Sequence, residues 1–483
     1  MKKNKSKIII LILIALLIII IVPVAIIMSL LVVNTANPSV TLSQTIIESE
    51  IEVEVVEYNY NIIFPKDAKV LIENKPIDET KITQNDETTS IYSLTTNTKI
   101  EEVSATYYGL DCEKTISYDG LDIIFTITGD TASKNIDATI LKNEIVPNNM
   151  LDNSIYTSEI LVSEDVINIT SQDDIGYIYI KWATPPTPYS VKAGDNTIMT
   201  GQNGFLHEVV EIDGKHKEVS IINSNTAIAD IFVYSKGKLP KEVQYWEVPQ
   251  GKYDILCMPT HADDDTLYMG ALISEYAAKG KRIMVSFLTH HNNTVDRPHE
   301  LLDGVWEMGV TSYPVVSDFL DMPAWTLEGA MSLYDVEAMK NFQIENIRKF
   351  KPTIIIGHDE NGEYGHGVHM LNTDLIKETI HLSADASIHP ESAEKYGTHT
   401  PTKTYFHLYS ENKILLDVNK KMDELNGLSP IEVARNAFDK HKSQHIWDLA
   451  VIESGVSDCR RFGLYDSQVG YSFTTNDIFE GIE

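Results

Sequence analysis

The sequence predicts a multidomain chain. It has an N-terminal transmembrane helix, one or two all-β sandwich-like domains, and a C-terminal α/β domain built on a parallel sheet. Three observations carry this. An apolar run of 26 residues, 8–33, follows a lysine-rich start. Period-two alternation broken by turn-forming residues fills the chain from about residue 39 to residue 240. After residue 250, strand-like and helix-like segments alternate, a pattern that means a parallel sheet with helices on its faces.

The totals bound the partners. A chain of 483 residues holds two to four domains. Its net charge of −31 argues against nucleic acid, whose phosphates need a basic face, and against docking of the main body on anionic lipid. Cys112, Cys257 and Cys459 lie far apart. They show neither a disulfide framework nor metal-thiolate spacing, and Cys257 reads as a packing thiol inside an apolar strand.

Taken in order, residues 1–7 carry four lysines and read as a cytoplasmic tail. Residues 8–33 are long enough to cross a bilayer. They exceed the apolar core of a cleaved secretory signal, so they read as an uncleaved signal anchor. The lysines that precede the run keep the N-terminus inside and put the bulk at the cell surface. Residues 39–130 form an all-β spacer, with Ile51-Glu52-Val53-Glu54-Val55-Val56-Glu57-Tyr58 as its first alternating strand. Residues 135–240 form a second β-rich domain, marked by Tyr177-Ile178-Tyr179-Ile180-Lys181-Trp182 and Ala229-Asp230-Ile231-Phe232-Val233-Tyr234. On those strands it resembles a discoidin-type or carbohydrate-binding β-sandwich. That resemblance makes Trp182, Tyr189, Phe205 and His207 a candidate sugar platform, weighed against ordinary core packing.

Residues 250–483 form the α/β domain. Strands are expected at 254–258, 282–288 and 353–357, with an extended segment at 313–319. Helices are expected at 267–279, 300–308, 333–350 and 369–382. The architecture is Rossmann-like, but the first strand–helix turn lacks G-x-G-x-x-G, so no nucleotide cofactor is expected.

Two strand-end loops carry the chemistry. The first is Thr260-His261-Ala262-Asp263-Asp264-Asp265, and the second runs from His358 through Glu363, Tyr364 and His366 to His369. Loops after the strands of a parallel sheet open on one edge, where α/β sites lie. Two imidazoles and one carboxylate make the usual ligand set of a hydrolytic zinc centre. A second carboxylate can take a proton from water, and His366 or Tyr364 can face an oxyanion.

These motifs, with Gly270 and the strand end Leu288-Thr289, resemble the PIG-L/LmbE family of zinc-dependent de-N-acetylases. The resemblance covers about residues 253–382 and continues more weakly to His441-Lys442-Ser443-Gln444. It implies metal on His261, Asp264 and His369, one Zn2+ per chain or another divalent metal in its place. It implies Asp263 as general base, and His366 and Tyr364 as catalytic groups at the oxyanion. It also implies substrate-binding roles for Arg297 and Asp321. The family's Ala-His-Pro-Asp-Asp-Glu motif is altered here at Thr260, Ala262 and Asp265, and Asp265 is expected to support the site from behind. The expected function is removal of N-acetyl groups from an N-acetylglucosamine-type sugar or glycoconjugate at the cell surface. The alternatives are an inactive surface glycan-binding protein and a zinc amidase acting on a non-sugar amide. His290 and His291 read as rim residues, and Trp325 as a candidate pocket wall.

Overall fold

The structure, a computed structural model, describes residues 57–85, 88–117, 120–471 and 474–482. The anchor at residues 8–33 and most of the first strand candidate lie outside the described residues. Among the described residues no helix is long and apolar enough to cross a membrane.

Two β-sandwiches come first. In the first, Tyr58–Pro65 alternates inward and outward and sends Tyr60, Ile62 and Phe64 into the core. That core is closed by Val70, Val103 and Ala105 of a facing four-stranded sheet, the period-two pattern of a sheet with one wet face. The second sandwich packs a five-stranded sheet on a four-stranded one, the latter containing Tyr177–Trp182, His207–Glu211 and Ala227–Tyr234.

Of the two readings of the candidate sugar platform, core packing is the one found. Trp182, Tyr189 and His207 are fully buried, and Phe205 is 7% exposed. The reason is Glu208, a buried carboxylate that needs donors. Trp182 Nε1 donates to its Oε2 at 3.1 Å and Tyr189 OH at 2.8 Å. Thr200 Oγ1 and Gly201 N donate to its Oε1 at 2.6 and 2.9 Å. Satisfying that carboxylate turns both aromatic rings inward.

The α/β part begins with β1, Ile255–Cys257. Then come α1, Asp264–Leu267; α2, Gly270–Ala278; β2, Ile283–Phe287; and α3, Arg297–Glu307. They are followed by β3, Val315–Val316; α4, Leu327–Leu333; α5, Val336–Phe350; β4, Ile354–Gly357; and α6, Gly367–Leu382. Last come α7, Pro390–Tyr396; β5, Lys403–His407; β6, Lys413–Leu415; α8, Pro430–Phe438; and β7, Arg461–Ser467. The sheet order is β3-β2-β1-β4-β5-β7-β6. The neighbours from β3 to β5 pair parallel. The sheet is therefore not wholly parallel: β7 inserts antiparallel between β5 and β6, an edge common on otherwise parallel sheets.

The central strands are apolar on both faces because helices cover both. Every residue of β1, β2 and β4 is buried, and each buried Ile or Leu contributes about 1.5–3 kcal/mol. Local chemistry moved several expected boundaries. Asp296 accepts a hydrogen bond from Arg297 N, and Pro298 sits in the first turn. Together they start α3 earlier than residue 300. Asp335 caps Ala338 N and opens α5 at Val336, three residues later than the helix expected at 333–350, while α4 just before it was not expected.

The second sandwich is fixed to the α/β part. Phe205 stacks on Tyr313 with ring centroids 4.3 Å apart. Leu206 N donates to Tyr313 OH at 3.1 Å. His207 Nε2 meets His299 Nδ1 at 2.7 Å, and His207 Nδ1 meets Gln244 Oε1 at 2.7 Å. His207 and His299 are both buried.

Candidate metal centre

β1 and β4 are neighbours, so the loops that leave them meet at one sheet edge. The first loop turns sharply: Asp263 has φ +147°, a conformation costly for a side-chain-bearing residue. It is held because the Asp263 carbonyl accepts from Thr266 N and Leu267 N, each at 3.0 Å, and from Thr266 Oγ1 at 2.7 Å. This turn puts Asp264 inward, beside His261.

His261 Nδ1 lies 2.9 Å from His369 Nε2, and Asp264 Oδ2 lies 3.1 Å from each of them. The far sides of both rings are engaged. His261 Nε2 stands 3.1 Å from Asp321 Oδ1, and His369 Nδ1 stands 3.4 Å from the Gly362 carbonyl. The 2.9 Å contact is itself a hydrogen bond between the two rings; a bound cation would displace the shared proton, and both facing nitrogens would then offer lone pairs. Two lone pairs and a carboxylate oxygen converging in a buried space fit a cation. The donor set, two imidazoles and one carboxylate, suits zinc.

Two further triads, His261 with His366 and His369, and Asp264 with His358 and His369, also keep their donor atoms within 4.8 Å. His358 is the weaker donor, because its Nε2 already accepts from Thr260 N at 3.0 Å.

The electrostatics follow from burial and close charges. Burial alone would keep His261 neutral, yet Asp264 and Asp321 outweigh it and raise its pKa to about 10. Asp264 is buried too, and His369, His358 and His261 hold it well below the carboxylate range. Asp263 goes the other way: burial raises it, opposed chiefly by Arg297. Burial, then His261 and His369, lower His366 to about 4. Tyr364 is pushed above the phenol range by burial and Asp264.

The expected residues fall into distinct places. His261, Asp264 and His369 form the cluster. Asp263 lies at its edge, where Arg297 Nη2 is 3.4 Å from its Oδ1 and donates to the Ala262 carbonyl at 2.5 Å. His366 is buried with Nδ1 unpartnered, its ring 4.8 Å from that of His369. Tyr364 and Trp325 are 49% and 69% exposed at the mouth, and the Trp325 ring stands 5.4 Å from His366. Asp321 faces His261 and His291. Asp265 is fully buried and neither of its oxygens has a partner. Burial, Asp263 and Asp264 raise its pKa.

Sequence reasoning missed a buried relay. Glu363 bridges His358 Nδ1 at 3.0 Å and His407 Nδ1 at 2.7 Å, and His407 Nε2 meets the Asp458 carbonyl at 3.0 Å. The signal was present: His407 ends β5, the next parallel strand, at the same sheet edge. The second loop is locked by Gly367, whose N donates to the Ala324 carbonyl at 2.8 Å. A Cβ there would stand 2.1 Å from the Thr326 carbonyl oxygen.

The fold and the donor set define the class: an α/β protein with a candidate metal centre at its strand ends. No family model matches the chain. Over 80 residues it is 35% identical to the mycothiol S-conjugate amidase of Streptomyces coelicolor, a match covering 16% of this chain and 27% of that protein. Over 178 residues it is 27% identical to the 1D-myo-inositol 2-acetamido-2-deoxy-α-D-glucopyranoside deacetylase of Thermomonospora curvata, covering 30% of this chain and 60% of the relative. The chain thus spans less than two thirds of the length of these relatives. Among solved structures it is similar to the N,N'-diacetylchitobiose deacetylase of Pyrococcus horikoshii, with a TM-score of 0.31 and 16% identity over 39% of this chain and 70% of that one. It is also similar to a zinc-inhibited form of a teicoplanin deacetylase, with a TM-score of 0.29 and 14% identity over 44% of this chain and 97% of that one.

Proposed function

We propose that this protein is a metal-dependent hydrolase that removes the N-acetyl group from an N-acetylglucosamine-type sugar or glycoconjugate. The observation that carries the reading is the triangle of His261 Nδ1, Asp264 Oδ2 and His369 Nε2, with sides of 2.9 to 3.1 Å and an uncommitted carboxylate, Asp263, beside it. Relatives named as deacetylases of an acetamido sugar support the substrate class.

His261, Asp264 and His369 would hold the metal, with zinc as the first choice. When bound, such an ion polarises a carbonyl and makes water acidic near neutral pH. Asp263 takes a proton from the attacking water at a carboxylate oxygen and returns it to the amine nitrogen as the C–N bond breaks. The products are acetate and the free amino sugar. Arg297 holds Asp263 in place through its contacts to Oδ1 and to the Ala262 carbonyl. Tyr364 and His366 donate to the carbonyl oxygen as it gains charge, a contribution worth about 10²–10³ in rate for one such donor. Asp321 fixes the orientation of His261.

The test is acetate release from N-acetylglucosamine and its oligomers by protein of known metal content. One bound divalent metal per chain and acetate release abolished by chelation are expected. Metal-free purified protein with no release after zinc addition would overturn the reading. A relative named as an amidase favours a second reading, hydrolysis of a non-sugar amide. Release from acylated amines but not from acetamido sugars would select it. We also propose that residues 8–33 anchor the chain in a membrane, with the catalytic body at the cell surface. Membrane fractionation with protease accessibility of the β-sandwiches tests it.

A further inference from the structure

Between the second β-sandwich and the α/β part lies a cleft of about 720 Å³, within the size range of ligand sites. One wall is the sandwich turn at Thr184 and Pro185, with Leu206. The other is the loop after β2 and the start of α3, with His291, Asn293 and Arg297.

The cleft starts at the candidate centre. Arg297 touches Asp263, and His291 Nε2 lies 3.4 Å from Asp321, the carboxylate that also faces His261. Two buried atoms on its lining residues have no partner in the protein, His291 Nδ1 and Arg297 Nε. A buried polar atom left unpaired costs about 1–3 kcal/mol. With Nε2 turned to Asp321, His291 offers an acceptor, while Arg297 Nε offers a donor. Each would be answered by a neutral polar group such as a hydroxyl.

Further out the wall is neutral and hydrogen-bonding, with Thr184 and Asn293 exposed and Pro185 between them. Arg297 and Asp318 are the Arg, Lys, Asp and Glu members of the lining, one of each sign. The wall therefore asks for no charged ligand. A mix of hydroxyl-matching and apolar surface is what a sugar ring presents. The two walls are tied together by the Phe205–Tyr313 stack and by Tyr156 OH, which donates to Asp296 Oδ2 at 3.3 Å, so the cleft is preformed.

We propose that this cleft is a glycan subsite. It holds the neutral sugar units attached to the acetamido sugar being deacetylated, and the second sandwich forms half of that site. The substrate is then an oligosaccharide or glycan chain rather than a single sugar. The inference rests on the de-N-acetylase reading above.

The experiment compares acetate release from N-acetylglucosamine and from its tetramer, using wild type, Thr184→Trp and Asn293→Trp. Wild type is expected to favour the tetramer in kcat/KM by about tenfold or more. Each Trp variant is expected to lose most of that preference through KM, while release from the monomer stays close to the wild-type value and reports intact folding. Equal use of monomer and tetramer by wild type would overturn the subsite, as would variants that keep the preference. No release from either substrate by metal-loaded wild type is the separate failure of the de-N-acetylase reading, and the subsite falls with it. Calorimetric titration of Asp263→Asn with the tetramer gives a readout free of turnover: binding is expected there and is expected to be lost when Thr184→Trp is added. Binding that persists in the double variant would also overturn the proposal.

Discussion

The Nδ1 of His261 faces the Nε2 of His369 across 2.9 Å, with the Asp264 carboxylate 3.1 Å from both. Something positive must lie between the two buried nitrogens: the shared proton of a ring–ring hydrogen bond, or a divalent cation that displaces it. The arrangement is therefore expected to be stabilised by a divalent cation that binds the folded state and not the unfolded one. Chelation should lower Tm, and zinc should restore it. His261→Ala with Asp264→Ala should abolish both the bound metal and the response of Tm to chelator. A chelator shift retained in that variant would place the metal elsewhere.

Asp263 is outside the donor triangle, so its removal should separate metal binding from turnover. Asp263→Asn keeps the shape and the bound metal while removing the proton acceptor. Acetate release is expected to fall by about 10²–10⁴, with metal content by mass spectrometry unchanged. Near-normal turnover would give the base role to another group.

Gly367 is where the second loop meets the loop that carries Trp325. A Cβ at this position would stand 2.1 Å from the Thr326 carbonyl oxygen, and backbone cannot yield as a side chain can. Gly367→Ala is expected to cost about 1–3 kcal/mol in stability. It should also shift His366 and His369, which flank it in sequence. Denaturant unfolding and metal affinity measured on the same protein check both effects.

Acid should loosen the joint between the second sandwich and the α/β part. Burial, then Lys181, lower the pKa of His207; burial, then His207 itself, lower that of His299; both lie at about 3. Gln244 opposes this for His207, and Asp303 and Asp296 oppose it for His299. The folded pKa values lie below the unfolded value of about 6.5. The stability they contribute is thus fully present above pH ~6.5 and is lost as pH falls toward about 3. Tm of wild type should drop between pH 7 and pH 4.5, and His299→Gln should show a smaller drop from a lower starting point. Equal drops in the two proteins would clear this pair of responsibility.

Much of the site was legible because a parallel sheet gathers the loops of one edge. That rule brings His261 and His369 together from positions 108 apart in the chain. It did not reach Glu363 and His407. Their pairing depends on β5 lying beside β4: residues 403–407 show a strand ending in His407, but not which strand it takes as its neighbour. The choice between core and sugar platform for Trp182 and Tyr189 was left open for another reason. An aromatic strand on a sandwich reads the same whether it faces a sugar or a core, and the decision lay with Glu208, twenty-six residues further on.

The stack of Phe205 on Tyr313 and the contact of His207 with His299 grip the interface on either side of Leu206. Walls held this way keep their spacing, so the proposed subsite would discriminate by thickness. Branching is then expected to count against a substrate whatever sugars compose it, and competition between linear and branched oligosaccharides of equal length would measure how strictly that width is kept.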